Sequence, residues 1–331
     1  MRSSLAPYLC NCVWAVAAAS SVVLLSCGKS SVASSPDDVE AAQWGTYNKA
    51  YNGQRFSTLS SINTKNVNML RPVCSAQLGD AGAFQSSLLV INNTLYVTTA
   101  STTVALDAST CDIRWQHIYH YMQTPVFSVN RGVAFSNGVL FRGTPDGRLL
   151  AIEATSGKTI WTVKTADPLV GEFISGSPIV WRGKVYSGIA GSDWGIRGRM
   201  TAFDVKTGAE VWRFNTIPMG TEAGAETWKT ADTAKLGGGG TWTSLTLDPQ
   251  TGELFVPVGN PAPDYRPDLR PGDNLYTDSI VVLDAASGRL NWYYQFRGND
   301  GLDLDVAAAP VLYTMKDGRS VMAVGSKDGN L

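Results

Sequence analysis

The chain has 331 residues, 44% hydrophobic and only 17% charged, which supplies enough apolar surface for a large core and excludes a disordered polypeptide. Its 27 basic and 28 acidic residues nearly cancel and no basic block stands out, so no nucleic-acid partner is expected. Ten Trp, 12 Tyr and 33 Gly, with few stretches of helical period, indicate an all-β chain of short strands and tight turns.

The N-terminal region reads as targeting sequence. Met1 and Arg2 precede an apolar run over residues 13–25 that is too short, and too rich in Ala and Ser, for a comfortable membrane span. Residues 1–27 are therefore expected to be a signal peptide. The run ends in Leu24-Leu25-Ser26-Cys27, which resembles a bacterial lipobox and predicts acylation of Cys27, so that the lipid is the sole membrane attachment. An ordinary signal peptide with a chance cysteine is the other reading. Residues 28–41 form a Ser-rich tether, and the folded part is expected over residues 42–331.

Within the folded part, Cys74 and Cys111 can pair only if the fold brings them together. No Cys-x-x-Cys-His occurs, so no covalent haem c is encoded here. His117 and His120 are spaced for a metal, but without a helix or a third His or Cys nearby they read as exposed strand residues. Acid–base chemistry then falls to carboxylates, Lys or Tyr.

A repeat decides the architecture. Four gapless segments, ALDASTCDIRW from Ala105, AIEATSGKTIW from Ala151, AFDVKTGAEVW from Ala202 and VLDAASGRLNW from Val282, each read strand, acidic residue, turn, strand, Trp. The acidic positions Asp107, Glu153, Asp204 and Asp284 lie 46, 51 and 80 residues apart, the spacing of propeller blades. Each hairpin would form the outer strands of a blade, with its Trp docked on the neighbouring blade. Residues 94–99, 139–142, 184–188 and 279–283 are expected as inner strands.

The long interval holds the most informative stretch, residues 237–265. Four glycines, Gly237 to Gly240, permit close backbone approach and lead to Trp242. A hairpin follows, turning at Asp248-Pro249-Gln250-Thr251-Gly252, and closes on Gly259-Asn260-Pro261-Ala262-Pro263. An indole and a fixed carboxamide at opposite ends of one hairpin suit a planar, metal-bound ligand. A Gly-rich turn, a core Trp and a surface loop would read the same way.

Together with Trp44-Gly45-Thr46-Tyr47 and the pattern RFSTLSSI from Arg55, these motifs resemble the pyrroloquinoline quinone (PQQ) dependent alcohol dehydrogenases, eight-bladed propellers of the bacterial periplasm. The resemblance runs from Trp44 to the last residue. It implies a periplasmic enzyme oxidising an alcohol or aldehyde by hydride transfer to PQQ held on Ca²⁺ or a lanthanide ion, with a separate cytochrome c-type acceptor or a haem domain on missing sequence. Carried over by motif, Trp242 is the stacking floor, Arg131 pairs with a PQQ carboxylate, and Ser175 and Gln85 make weaker contacts. Asp193, where the best-known members place Glu, Asn260 and Asp303 match metal ligands. Asp303 is also the general base, and Lys327 lies beside the quinone oxygens. An alcohol needs a base beside its hydroxyl and a hard, oxygen-ligated Lewis acid beside the accepting carbonyl, and these residue types provide both.

Asp305 resembles the extra aspartate of lanthanide-using members, and period-2 spacing would put it on one face with Asp303. The family's adjacent Cys-Cys pair is here Pro125-Val126. Because a non-catalytic, lipid-anchored propeller scaffold of outer-membrane assembly shares the repeat, a scaffold is the alternative reading. Four docking hairpins make about half of eight blades, so the chain is expected to be C-terminally incomplete and, as it stands, inactive.

Overall fold

The computed structural model describes residues 43–79 and 82–331, so the expected signal peptide, Cys27 and the tether lie outside the described residues. Blade 1 comprises β1 (Leu89–Ile91), β2 (Thr94–Thr98), β3 (Thr102–Asp107) and β4 (Ile113–Ile118). Blade 2 comprises β5 (Ala134–Ser136), β6 (Val139–Gly143), β7 (Arg148–Glu153) and β8 (Thr159–Lys164). In blade 3 the strands are β9 (Ile179–Trp181), β10 (Lys184–Gly188), β11 (Arg199–Asp204) and β12 (Glu210–Asn215). Blade 4 has β13 (Thr246–Asp248), β14 (Glu253–Pro257), β15 (Ser279–Asp284) and β16 (Leu290–Gln295), and β17 (Val311–Thr314) pairs with β18 (Ser320–Ala323) beyond it.

Each four-stranded sheet is antiparallel with its strands in chain order, as a propeller blade requires. A blade flanked by two others buries both faces, so its third strand is apolar without alternation. In β15 Ser279, Ile280, Val281, Val282 and Leu283 are all buried. The fourth strand meets solvent on one face and alternates, as in β4 and β8. The register shifts at the same place in all four outer hairpins, between Ala105 and Leu106, Ala151 and Ile152, Ala202 and Phe203, and Val282 and Leu283. One bulge before each acidic turn thus aims the following Trp sideways.

The tryptophans dock as the repeat predicted. Trp115 Nε1 donates to Ala154 O (3.0 Å), Trp161 Nε1 to Val205 O (3.1 Å) and Trp212 Nε1 to Ala285 O (3.1 Å), each acceptor lying at the turn of the next blade. Each indole lies over that turn's glycine: a Cβ on Gly157, Gly208 or Gly288 would come within 2.6, 2.9 or 2.5 Å of Trp115, Trp161 or Trp212. The fourth, Trp292, is 40% exposed and meets Phe255 of its own blade edge-on.

Blade 1 departs from this pattern. Its turn carries Cys111 in the left-handed region (φ 63°) where the other blades have glycine, and Cys111 is disulfide-bonded to Cys74. In the segment around Cys74, the alternate residues Cys74, Ala76 and Leu78 are partly buried and those between are exposed, as for Trp115, His117 and Tyr119. Ala76 and Leu78 pack on Val97, Val104 and Leu106 of blade 1. The disulfide therefore occupies, on blade 1, the position of the Trp-on-Gly contact between the other blades.

Two expectations are corrected. Residues 279–283 form the third strand of blade 4, not an inner one, because the hairpin of β13 and β14 takes the two inner places. His117 is half-buried between blades 1 and 2, its Nε2 2.9 Å from Thr159 Oγ1, and is not an exposed strand residue.

A segment before blade 1 crosses the blades. Trp44 bridges to Val90 in blade 1, Tyr51 Oη donates to Val180 O in blade 3 (2.6 Å), Leu247 N in blade 4 donates to Tyr51 O (3.0 Å), and Leu312 N in β17 donates to Asn52 O (2.8 Å).

Candidate active site

The expected site residues sit at equivalent points of successive blades. Arg131, Ser175, Trp242 and Asp305 lie on the segments entering the innermost strands β5, β9, β13 and β17, whereas Asp193, Asn260 and Lys327 follow the second strands β10, β14 and β18. In an antiparallel sheet the start of the first strand and the end of the second share one rim. One cavity of about 220 Å³ is accordingly lined by Arg131, Ser175, Asp193, Trp242, Asn260, Asp303, Asp305 and Lys327, with Phe127, Val129, Phe173, Ala190, Gly191, Ser192 and Trp194. Gln85 holds the corresponding place before β1, but it is exposed and does not line the cavity.

On one side of the cavity the Trp242 indole packs on Val129, Phe173 and Ala190. Val126, at the position of the family's Cys-Cys pair, packs on the same cluster. The backbone carbonyl of Trp242 is fixed by Ser175 Oγ (3.0 Å) and Arg131 Nη1 (3.3 Å). The Arg131 guanidinium lies 4.8 Å from the indole centroid, a cation–π contact. Burial pushes its pKa down, and no carboxylate pairs with it among the described residues. A flat face beside an uncompensated guanidinium fits a planar anionic ligand such as a carboxylated quinone.

On the other side the glycine run approaches protein backbone. Gly239 N donates to Asn260 O (2.8 Å), Gly259 N to Gly240 O (2.9 Å) and Ala262 N to Gly237 O (2.9 Å), while Gly240 N donates to Ser192 Oγ (2.8 Å). A Cβ on Gly238, whose φ is +114°, would stand 2.5 Å from Asn260 O. Gly237 to Gly240 thus lock the loop of Asn260 to the loop of Asp193.

Asp303 and Asp305 do share a side, since Lys327 Nζ bridges them at 2.9 and 2.7 Å. Strand alternation is not the cause, because Asp303 has φ 59° in a turn where the Asp300 carboxylate accepts from Leu302 N (3.1 Å) and Leu304 N (2.9 Å). Burial raises the Asp305 pKa, against the Lys327 contact and the hydrogen bond from Asn260 N (2.6 Å). Burial pulls the Lys327 ammonium down, and its pairing with Asp305 and Asp303 more than reverses this, holding it above the ordinary lysine range.

The spacing arguments missed three residues. Asp264 accepts from Asn260 Nδ2 (2.7 Å), and burial together with the charges of Asp193, Asp303 and Asp305 pushes its pKa up to about 6. Asp278 is fully buried with neither carboxylate oxygen hydrogen-bonded, and burial plus Asp300 and Asp305 pushes it up to about 9. Arg270, also fully buried, donates to Pro263 O (3.1 Å), Asp264 O (3.1 Å) and Asp300 O, joining the Asn260 loop to the Asp303 loop. A charged residue inside the Pro- and Gly-rich run that follows Asn260 was the one available signal.

The donors here are oxygen: the Asn260 side-chain Oδ1, which no hydrogen bond reaches among the described residues, and the carboxylates of Asp193, Asp303 and Asp305. That set fits a hard cation. Among the described residues no three His, Cys, Asp or Glu side chains converge closely enough to enclose an ion by themselves. A cation here would therefore depend on Asn260 as well as on the acids.

Blades joined by docked tryptophans, with an indole, an arginine and oxygen ligands on one inner rim, define a propeller of quinoprotein type. Residues 44–331 match the family model of the PQQ glucose/ethanol/alcohol dehydrogenase β-propeller domain, and the chain belongs to that family. It is 33% identical to quinohemoprotein alcohol dehydrogenase ADH IIB of Pseudomonas putida, over 94% of this chain and 48% of that one. Identity to the lanthanide-dependent methanol dehydrogenase of Methylacidiphilum fumariolicum is 34%, over 80% and 48%. The structure of a europium-containing methanol dehydrogenase superposes with a TM-score of 0.81 at 31% identity, over 87% of this chain and 55% of that one. The chain spans about half the length of these relatives.

Proposed function

We propose that the whole protein is a PQQ-dependent dehydrogenase of alcohols or aldehydes. The observation that carries this reading is the meeting in one cavity of the Trp242 indole, the unpaired Arg131 and the Asp193, Asn260, Asp303, Asp305 and Lys327 cluster. When bound, PQQ supplies the two-electron acceptor and a hard cation the Lewis acid.

The chain's own residues do the rest. Trp242 provides the flat floor, and Arg131, with Ser175 holding the Trp242 carbonyl beside it, binds a carboxylate of the quinone. Asn260, Asp193, Asp303 and Asp305 hold the cation. Asp303 takes the proton of the substrate hydroxyl, and Lys327, close to both carboxylates, donates hydrogen bonds where negative charge develops. The four carboxylates grouped around Asn260, opposed by Lys327 and, at Asp264, by Arg270, keep an excess of negative charge there and favour a trivalent lanthanide over Ca²⁺. Phe127, Phe173 and Trp194, in successive ring contacts of 6.1 and 5.9 Å, give the cavity an apolar wall for the alcohol's carbon chain.

Dye-linked alcohol oxidation by the whole protein with PQQ and a lanthanide tests this reading. Asp303→Asn should cost at least 100-fold in kcat with PQQ still bound. Undiminished turnover in that variant would remove Asp303 as base.

We further propose export to the periplasm, anchoring of the protein through acylated Cys27 and electron transfer to a separate cytochrome c-type protein. The support is sequence alone: the apolar run just before Cys27 for export and anchoring, and the family resemblance for the acceptor. Cys27→Ala should move the protein from the membrane to the soluble fraction, and equal partitioning of both forms would overturn the anchor.

A further inference from the structure

We infer that Asp264 is a positioning residue that fixes the carboxamide of Asn260 with its oxygen toward the cation. The inference rests on the cation reading above and adds the residue that makes Asn260 usable as a ligand. An asparagine side chain presents an oxygen and an NH₂ group of nearly equal size, and only the oxygen can ligate a cation. Some other contact must therefore decide which of the two faces the cavity. Here Asn260 Nδ2 donates to Asp264 Oδ1 (2.7 Å) and, more weakly, to Pro261 O (3.3 Å), while no donor reaches the Asn260 oxygen among the described residues.

The amide nitrogen is thus drawn to the loop side by a charge-assisted hydrogen bond, and rotation about the terminal bond would turn NH₂ toward the cavity. The backbone is pinned from both directions. Asn260 N donates to Asp305 Oδ1 (2.6 Å) and Asn260 O accepts from Gly239 N (2.8 Å). With the main chain held, the carboxamide orientation is the remaining freedom, and Asp264 removes it. Asp264 is itself held in place, because buried Arg270 donates to its backbone carbonyl (3.1 Å) and to that of Pro263 (3.1 Å).

The test is Tb³⁺ binding to the protein with PQQ present, read as affinity and as the difference in Tb³⁺ emission lifetime between H₂O and D₂O, which reports water on the ion. Asn260→Ala should weaken binding and let water replace an oxygen ligand. Asp264→Ala should do the same, by about 10- to 100-fold in Kd. The double variant should carry no more water on the ion than Asn260→Ala alone, because Asp264 orients the ligand only through Asn260. Asp264→Asn keeps an acceptor for Asn260 Nδ2, so it should retain the wild-type water count even where loss of charge lowers affinity. That variant also decides the matter if Asp264→Ala fails to fold. More water on the ion in the double variant than in Asn260→Ala, or an Asp264→Asn protein with the water count of Asn260→Ala, would overturn the inference. Wild-type Tb³⁺ binding by Asn260→Ala would instead overturn the cation reading on which it rests.

Discussion

Two ionisable side chains in or behind the cavity lack the partner their burial calls for. The half-buried guanidinium of Arg131 has the Trp242 ring and carbonyl but no acid. A ligand carboxylate would supply one, and hydrogen bonds to charged groups are worth about 1.5–3 kcal/mol. Arg131→Met should therefore weaken PQQ binding about 10- to 100-fold, seen as a smaller PQQ-induced rise in Tm; an unchanged rise would show that the guanidinium does not meet the quinone. Asp278 differs because its burial favours the proton. With its pKa raised to about 9, it keeps a proton in the folded chain that the unfolded chain releases at about pH 4. The native state thus binds more protons across that window, and stability falls as pH rises through it. Asp278→Asn does not titrate, so in cation-free protein its stability relative to wild type should grow between about pH 5 and pH 8 in denaturant melts. A difference that stayed constant with pH would contradict the assignment.

The repeating element is the outer hairpin with its bulge, capped acidic turn and laterally docked Trp. On blade 1 the Cys74–Cys111 bond takes the place of that contact. Closing a loop with a sequence separation of 37 is worth about 4 kcal/mol in the chain-entropy account. Replacing both cysteines by Ala should lose up to that amount, whereas Cys74→Trp with Cys111→Gly should recover part of it by restoring the docking pair. Chemical denaturation of the two double variants checks this, and a Trp/Gly pair no better than Ala/Ala would show that the segment around Cys74 is not a docking strand. Most of this architecture was legible in the chain, because four copies of one motif display its period and Trp242, Asn260 and Asp303 stand in recognisable motifs. The bond between Cys74 and Cys111 was not, since it depends on a strand-like segment whose Trp is missing. Asp264 escaped notice because its contact with Asn260 is made by the shape of the loop after Pro263, which no spacing encodes. Gln85 holds a place before β1 equivalent to that of the lining residues, with its side chain exposed and outside the cavity.

At the scale of the molecule, the segment from Trp44 to Asn52 ties blades 1, 3 and 4 and strand β17 together, and so sets the spacing of the rim on which the cavity residues stand. The cavity is assembled from loops of four successive sheets, with Arg131, Ser175 and Trp242 on one side and Asp193, Asn260, Asp303 and Asp305 on the other. The central claim is that these two sides bind one quinone and one cation together. Equilibrium titration of PQQ followed by tryptophan emission, with and without La³⁺, addresses it most directly. The account predicts saturable quenching that tightens at least tenfold with La³⁺ and is lost in Trp242→Ala, because stacking and cation share one ligand. Binding indifferent to La³⁺ and to Trp242→Ala, or no binding by the folded protein, would contradict it and favour a scaffold propeller without cofactor.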